Sequence, residues 1–228
     1  MAKLFLILKI IFVLFYMGTL SYMANYFFKK SAWDNFNSLC GILAVFGIIF
    51  TGQAYLVKAY SHFTTQEVAK FVLVISRYLI SLFFIIVNLF SYYMYIASFN
   101  KKRYQTQQNI LIMFSVLAFI LVTLPQNDYS NPNPGLLLPR LRVIPSVIAG
   151  FYVSLILLAD AYYKRNPQFQ IYAICLVGLN LVQIVNSYFL KAKEDTEFYY
   201  YAMTSIIFIF MMAIFYRELY KKKELERF

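Results

Sequence analysis

Charges, prolines and asparagines cut this chain into seven apolar stretches, at roughly 4–28, 36–59, 69–97, 107–125, 143–163, 168–190 and 197–216. A helix rises about 1.5 Å per residue, so about 20 apolar residues cross a hydrocarbon core about 30 Å thick. Lipid offers no hydrogen bonds to a backbone, which leaves the helix as the spanning form for stretches of this length. The pattern predicts an all-α, polytopic transmembrane bundle of seven helices occupying residues 1–228 as a single domain. Pro125, Pro139, Pro145 and Pro167 all stand near the ends of stretches, where a missing N–H does least harm. No repeat of fixed period is visible, and no long polar segment is left over for a separate soluble domain.

Composition agrees with this reading. Hydrophobic residues make up 61% of the chain, aromatic residues 20% and charged residues 14%, with a mean hydropathy of +0.62. A water-soluble fold of this length would leave many of its 24 Phe and 21 Tyr facing solvent. The formal net charge of +11 is read as topology. No RNA-binding signature and no basic helix with interleaved aromatics points to a nucleic-acid partner. The first 28 residues have the lysine and apolar run of a signal peptide without a clear small-x-small cleavage site, so they are expected to stay as the first helix. Cys40 and Cys175 both fall inside apolar stretches and are expected to be packed free thiols.

Seven crossings put the two termini on opposite sides. With the C-terminus in the cytoplasm, the inner basic residues are Lys29, Lys30, Lys101, Lys102, Arg103, Lys164, Arg165, Arg217, Lys221, Lys222, Lys223 and Arg227. The outer set is smaller: Lys3, Lys58, Lys70, Arg140, Arg142, Lys191 and Lys193. The positive-inside tendency therefore favours an outer N-terminus and a cytoplasmic C-terminus. A plasma (inner) membrane fits that bias, with an organellar membrane as the alternative. Residues 125–140 then form the longest outer loop, rich in turn-forming Asn-Pro and Pro-Gly pairs. The tail "RELYKKKELERF" can continue the last helix as an anchor at anionic headgroups, or as a docking strip for a partner.

The stretch "FVLVISRYLISLFFIIVNLF" carries an arginine inside oil. On this third helix Arg77, Ser81, Asn88, Ser91 and Tyr95 follow one another at 4, 7, 3 and 4 residues, which aligns them along one stripe. Asn180, Gln183 and Ser187 repeat the pattern on the sixth helix. Polar groups in hydrocarbon turn toward the bundle interior, so the two stripes are expected to face each other. Counting rises of about 1.5 Å per residue, Arg77 lies about 12 Å below the outer end of its helix and Gln183 about 10 Å below its own. An outer polar pocket is predicted from Arg77, Lys9, Gln183, Asn186 and Glu197, with a small anionic or carboxylate-bearing ligand as its complement. The alternative is that Arg77 and Lys9 snorkel to the headgroups while the amides only join helices. Asp160, with Lys164 one turn later, reads as an interfacial ion pair, or else as a proton-relay carboxylate. Ser146, Gly150 and Ser154 form a small-residue stripe suited to close helix approach.

Catalytic constellations are missing from the sequence. His62 has no second His or Cys beside it to build a metal site, and no Walker loop, dinucleotide fingerprint or carboxylate pair is present. Neither enzyme activity nor a cofactor is expected. Helix number and orientation resemble rhodopsins and G-protein-coupled receptors, but "FYYYAMTSIIFIFMMAIFY" holds neither a retinal lysine nor an Asn-Pro-x-x-Tyr motif. The spacing of Arg142 to Ala149-Gly150 is similar to that on the arginine helix of the ATP synthase membrane subunit, with Ser146 replacing its asparagine. Seven-helix sensor modules of bacterial signalling proteins share the architecture alone, and no family is assigned on these residues. The expected function is a receptor-like sensor or accessory subunit that acts through a protein partner or as a homo-oligomer. A small transporter or channel along the Arg77 stripe is the competing expectation.

Overall fold

A computed structural model describes residues 2–30, 35–61, 66–99, 105–123, 143–188 and 194–225. Among the described residues every regular element is an α-helix. In chain order these are α1 (Ala2–Lys30), α2 (Asn35–Ser61), α3 (Gln66–Phe99), α4 (Gln105–Thr123), α5 (Val143–Tyr163), α6 (Pro167–Tyr188) and α7 (Glu194–Leu225). The 125–140 loop, the His62 region and the last three residues lie outside the described residues.

Among the described residues, five helices are long and apolar enough to cross a membrane: α1, α3, α5, α6 and α7. This is a multi-pass membrane protein. Among the described residues, α2 and α4 contain the apolar runs Asn37–Gly52 and Thr106–Leu121. Helix α4 opens on Gln105, Thr106, Gln107, Gln108 and Asn109, which belong in a headgroup region.

Helix α3 is the hub of the bundle. It packs against α2, α4 and α5, and its side chains also reach α6 and α7. Helix α1 lies outside, against α2 and α7, and α4 lies outside against α3 and α5. Burial follows this order, since 56% of Leu79–Ile96 is buried against 17% of Ile7–Lys29. In lipid the hydrophobic effect does not drive helices together, so close packing and hydrogen bonds must do so. Aromatic residues supply much of that packing around α3. Phe50 stacks on Phe83 at 4.3 Å between centroids, Phe83 meets Phe208 edge-on at 5.1 Å, and Phe90 meets Phe215 at 5.2 Å. Such pairs contribute about 0.5–1.5 kcal/mol each beyond the area they bury.

The link between α5 and α6 is tight and self-capped. Arg165 N–H donates to Tyr162 O at 3.1 Å and Asn166 N–H to Ala161 O at 2.9 Å. This is a Schellman ending, and Arg165 takes the left-handed conformation it requires, with φ 53°. Asn166 then caps α6, its Oδ1 accepting from the N–H groups of Gln168 at 3.2 Å and Phe169 at 3.3 Å. Pro167 occupies the first helical position, where its missing N–H is harmless. Two helices are thereby joined with almost no loop and run antiparallel.

Candidate functional site

The polar face of α3 is where the interior chemistry gathers. Ser81 is partly buried, while Asn88, Ser91 and Tyr95 are buried. Each of the three buried residues finds a partner on another helix. Asn88 donates its Nδ2 to Ser146 O on α5 at 2.9 Å. Ser91 Oγ lies 2.6 Å from the Tyr172 hydroxyl on α6 and donates to Val87 O at 2.7 Å when its proton points that way. Tyr95 donates to Asp160 Oδ2 on α5 at 2.6 Å. One helical face thus ties α3 to both strokes of the α5–α6 hairpin.

On α6, Asn180 is fully buried and donates its Nδ2 to Leu176 O at 2.8 Å, one turn back on its own helix. Its amide packs on Gly150 of α5, where any Cβ would collide with the Asn180 side chain. The Ser146, Gly150, Ser154 stripe therefore has a specific use, because its glycine is the seat for a buried asparagine. Ser154 donates to Gly150 O at 2.6 Å, within its own helix. Gln183 is also buried.

Four polar atoms in this region are buried without a hydrogen-bond partner among the described residues: Asn88 Oδ1, Ser146 Oγ, Asn180 Oδ1 and Gln183 Oε1. Ser115 Oγ on α4 and Thr204 Oγ1 on α7 share that condition singly. A second and smaller polar contact joins α2 and α7, where Thr51 Oγ1 lies 3.5 Å from Ser205 Oγ. Tyr16 of α1 donates to Gly47 O of α2 at 3.4 Å. Both distances are long for hydrogen bonds.

Of the residues assigned to an outer pocket, Gln183 is buried on α6 and Lys9 is partly buried on α1. The side chains of Arg77, Asn186 and Glu197 lie outside the described residues, as does that of Ser187, although their backbones belong to α3, α6 and α7. Asp160 lies near the end of α5, and the contact that describes it is the Tyr95 hydroxyl, a partner that the Asp160–Lys164 spacing does not suggest. Tyr172 was missed in the sequence because an aromatic residue in an apolar helix looks like packing. A signal was available: it stands eleven residues before Gln183, three turns away on the same meridian.

Chemically this interior is rich in acceptors. Asn88 and Asn180 have committed their nitrogens to carbonyl oxygens, which leaves amide oxygens facing inward. No cluster of three or more His, Cys, Asp or Glu able to hold a metal ion occurs among the described residues. Cys40 and Cys175 are free thiols. No family model matches the chain, and no curated protein or solved structure matches it.

Proposed function

We propose that this protein is a non-enzymatic, multi-pass membrane protein that works through a partner, as an accessory subunit or a receptor-like sensor. Its N-terminus faces outward and its C-terminus lies in the cytoplasm, in a plasma (inner) membrane. The observation that carries the reading is the filled interior around α3. Phe50, Phe83, Phe84, Phe208 and Phe215 are each at most 1% exposed and pack ring against ring at the α2–α3–α7 junction and beside α6. A central helix closed in by aromatic rings favours fixed helix packing over a passage for a solute. Meanwhile the outer faces of α1 and α4 present Leu14, Phe15, Met113 and Val116 to the surroundings, a surface suited to lipid or to the helices of another subunit.

The competing reading is a small transporter or channel for an anionic or carboxylate-bearing solute, with Arg77 as its cation. The acceptor oxygens of Asn88 and Asn180 oppose an anion deeper along that stripe. Purification in mild detergent after crosslinking in intact cells tests the proposal. A defined partner, or a second copy of this chain, crosslinked through α1 or α4 is the expected product. A monomer without partner whose reconstituted vesicles pass a carboxylate solute would replace this reading with transport.

A further inference from the structure

The four partnerless polar atoms lie on three helices, α3, α5 and α6, that contact one another. Gly150 faces Asn180 across the antiparallel α5–α6 pair. One turn toward the α5 start, Ser146 and Val147 therefore stand opposite Gln183 and Ile184, about 5 Å further along. Asn88 reaches the same level from α3, since its Nδ2 is bonded to Ser146 O. Helix register thus sets Asn88, Ser146, Asn180 and Gln183, whose Oδ1, Oγ, Oδ1 and Oε1 have no partner, at neighbouring levels of the α3–α5–α6 contact. These residues are exposed by only 1%, 3%, 0% and 5%.

We infer that Asn88, Ser146, Asn180 and Gln183 line an internal binding site for a small uncharged hydrogen-bond donor, an O–H or N–H group supplied by water or by a hydroxyl- or amide-bearing solute. The amide orientations support this. Reversing Asn88 or Asn180 would set an oxygen against the carbonyl of Ser146 or Leu176, so the inward atoms are acceptors. The fixed acceptor oxygens of Asn88 and Asn180 disfavour an anion. A bare cation would be held in a low-dielectric interior with no carboxylate among the four residues, which strongly disfavours it. Leaving four such oxygens dry is also unfavourable, because a buried acceptor without a donor keeps its full desolvation penalty. An uncharged donor resolves all three demands, and a water with two to four polar partners is an ordinary tenant of such a place.

The sign of a melting shift tests this. Ser146→Ala removes one oxygen, and Gln183→Met replaces the whole side-chain amide, oxygen and nitrogen together, at similar length and with no loss of helix propensity. If a donor is bound, both variants melt lower than the wild type in detergent. A melting temperature unchanged or raised in either variant means that its oxygen had nothing to lose, and overturns the inference. Mass spectrometry of small molecules released on denaturation separates the two sources. A solute present in wild type and missing from Gln183→Met identifies the occupant as a solute, and its absence from both assigns the site to water. Stabilisation by sodium chloride over choline chloride at equal ionic strength, lost in Gln183→Met, would overturn the uncharged class.

Discussion

Gly150→Ala tests the α5–α6 interface most directly. The new Cβ would overlap the Asn180 side-chain amide. Asn180 cannot step aside into space, since it is fully buried with its Nδ2 held at 2.8 Å by Leu176 O. Forcing a methyl into a packed interior costs about 1–3 kcal/mol. If Asn180 is pushed off Leu176, stranding the amide adds about 1–3 kcal/mol. Alanine returns about 1 kcal/mol of helix propensity over glycine. The expected net loss is about 0–2 kcal/mol, or about 1–5 kcal/mol if the amide is stranded, read as a shift in reversible unfolding in mixed detergent micelles. Gly18→Ala is the control, because nothing lies within 4 Å of a Cβ there. It should gain up to about 1 kcal/mol from propensity alone. Pairing Gly150→Ala with Asn180→Ala makes room for the methyl, so the two losses should fall short of additivity by about 0.5–3 kcal/mol. A Gly150→Ala protein as stable as Gly18→Ala, with no such coupling, would refute the packing assigned to Asn180.

Three other expectations follow from separate contacts. Arg165 holds φ 53° at the end of α5, a conformation about 1–2 kcal/mol unfavourable for a residue with a Cβ, so Arg165→Gly should raise the unfolding midpoint and Arg165→Val should lower it. Tyr95→Phe removes the hydroxyl that Asp160 accepts at 2.6 Å, and a loss of about 1.5–3 kcal/mol in the same unfolding assay is expected, the range for a hydrogen bond to a charged group. Arg77→Ala and Arg77→Lys should be compared for stabilisation by a carboxylate solute such as glutamate. An outer anion site predicts that stabilisation survives in neither or only in Lys, whereas identical curves for all three proteins would make the arginine incidental.

Much of the helical framework was legible in the chain because membrane spanning imposes a length. Helix Val143–Tyr163 occupies the same residues as the fifth apolar stretch, where Pro139 and Arg142 on one side and Lys164 and Arg165 on the other leave little choice of boundary. Helix α7 runs on to Leu225, well beyond its apolar stretch, because Glu, Lys and Leu are good helix formers even outside lipid. The central place of α3 had a partial signal in its polar stripe, which made Asn88 and Ser91 costly to leave facing oil. What periodicity could not supply was the partner. Ser91 meeting Tyr172, Tyr95 meeting Asp160 and Asn180 resting on Gly150 depend on which helices become neighbours. A hydropathy pattern holds no information about neighbours, and a tyrosine or glycine in an apolar run has several equally good uses.

The long sequence intervals spanned by the α3 contacts have a consequence for biogenesis. The partners of Asn88, Tyr95 and Ser91 are 58, 65 and 81 residues later in the chain. At about 5–20 residues per second, these groups wait roughly 3 to 16 s at the ribosome's exit before the hairpin that satisfies them has been synthesised. During that interval α3 is a segment ill suited to bare lipid, and it must shelter in the insertion machinery or against α2. A nascent chain halted after α4 should therefore be a quality-control substrate, and release of α5 and α6 as one compact hairpin would be the event that ends its exposure.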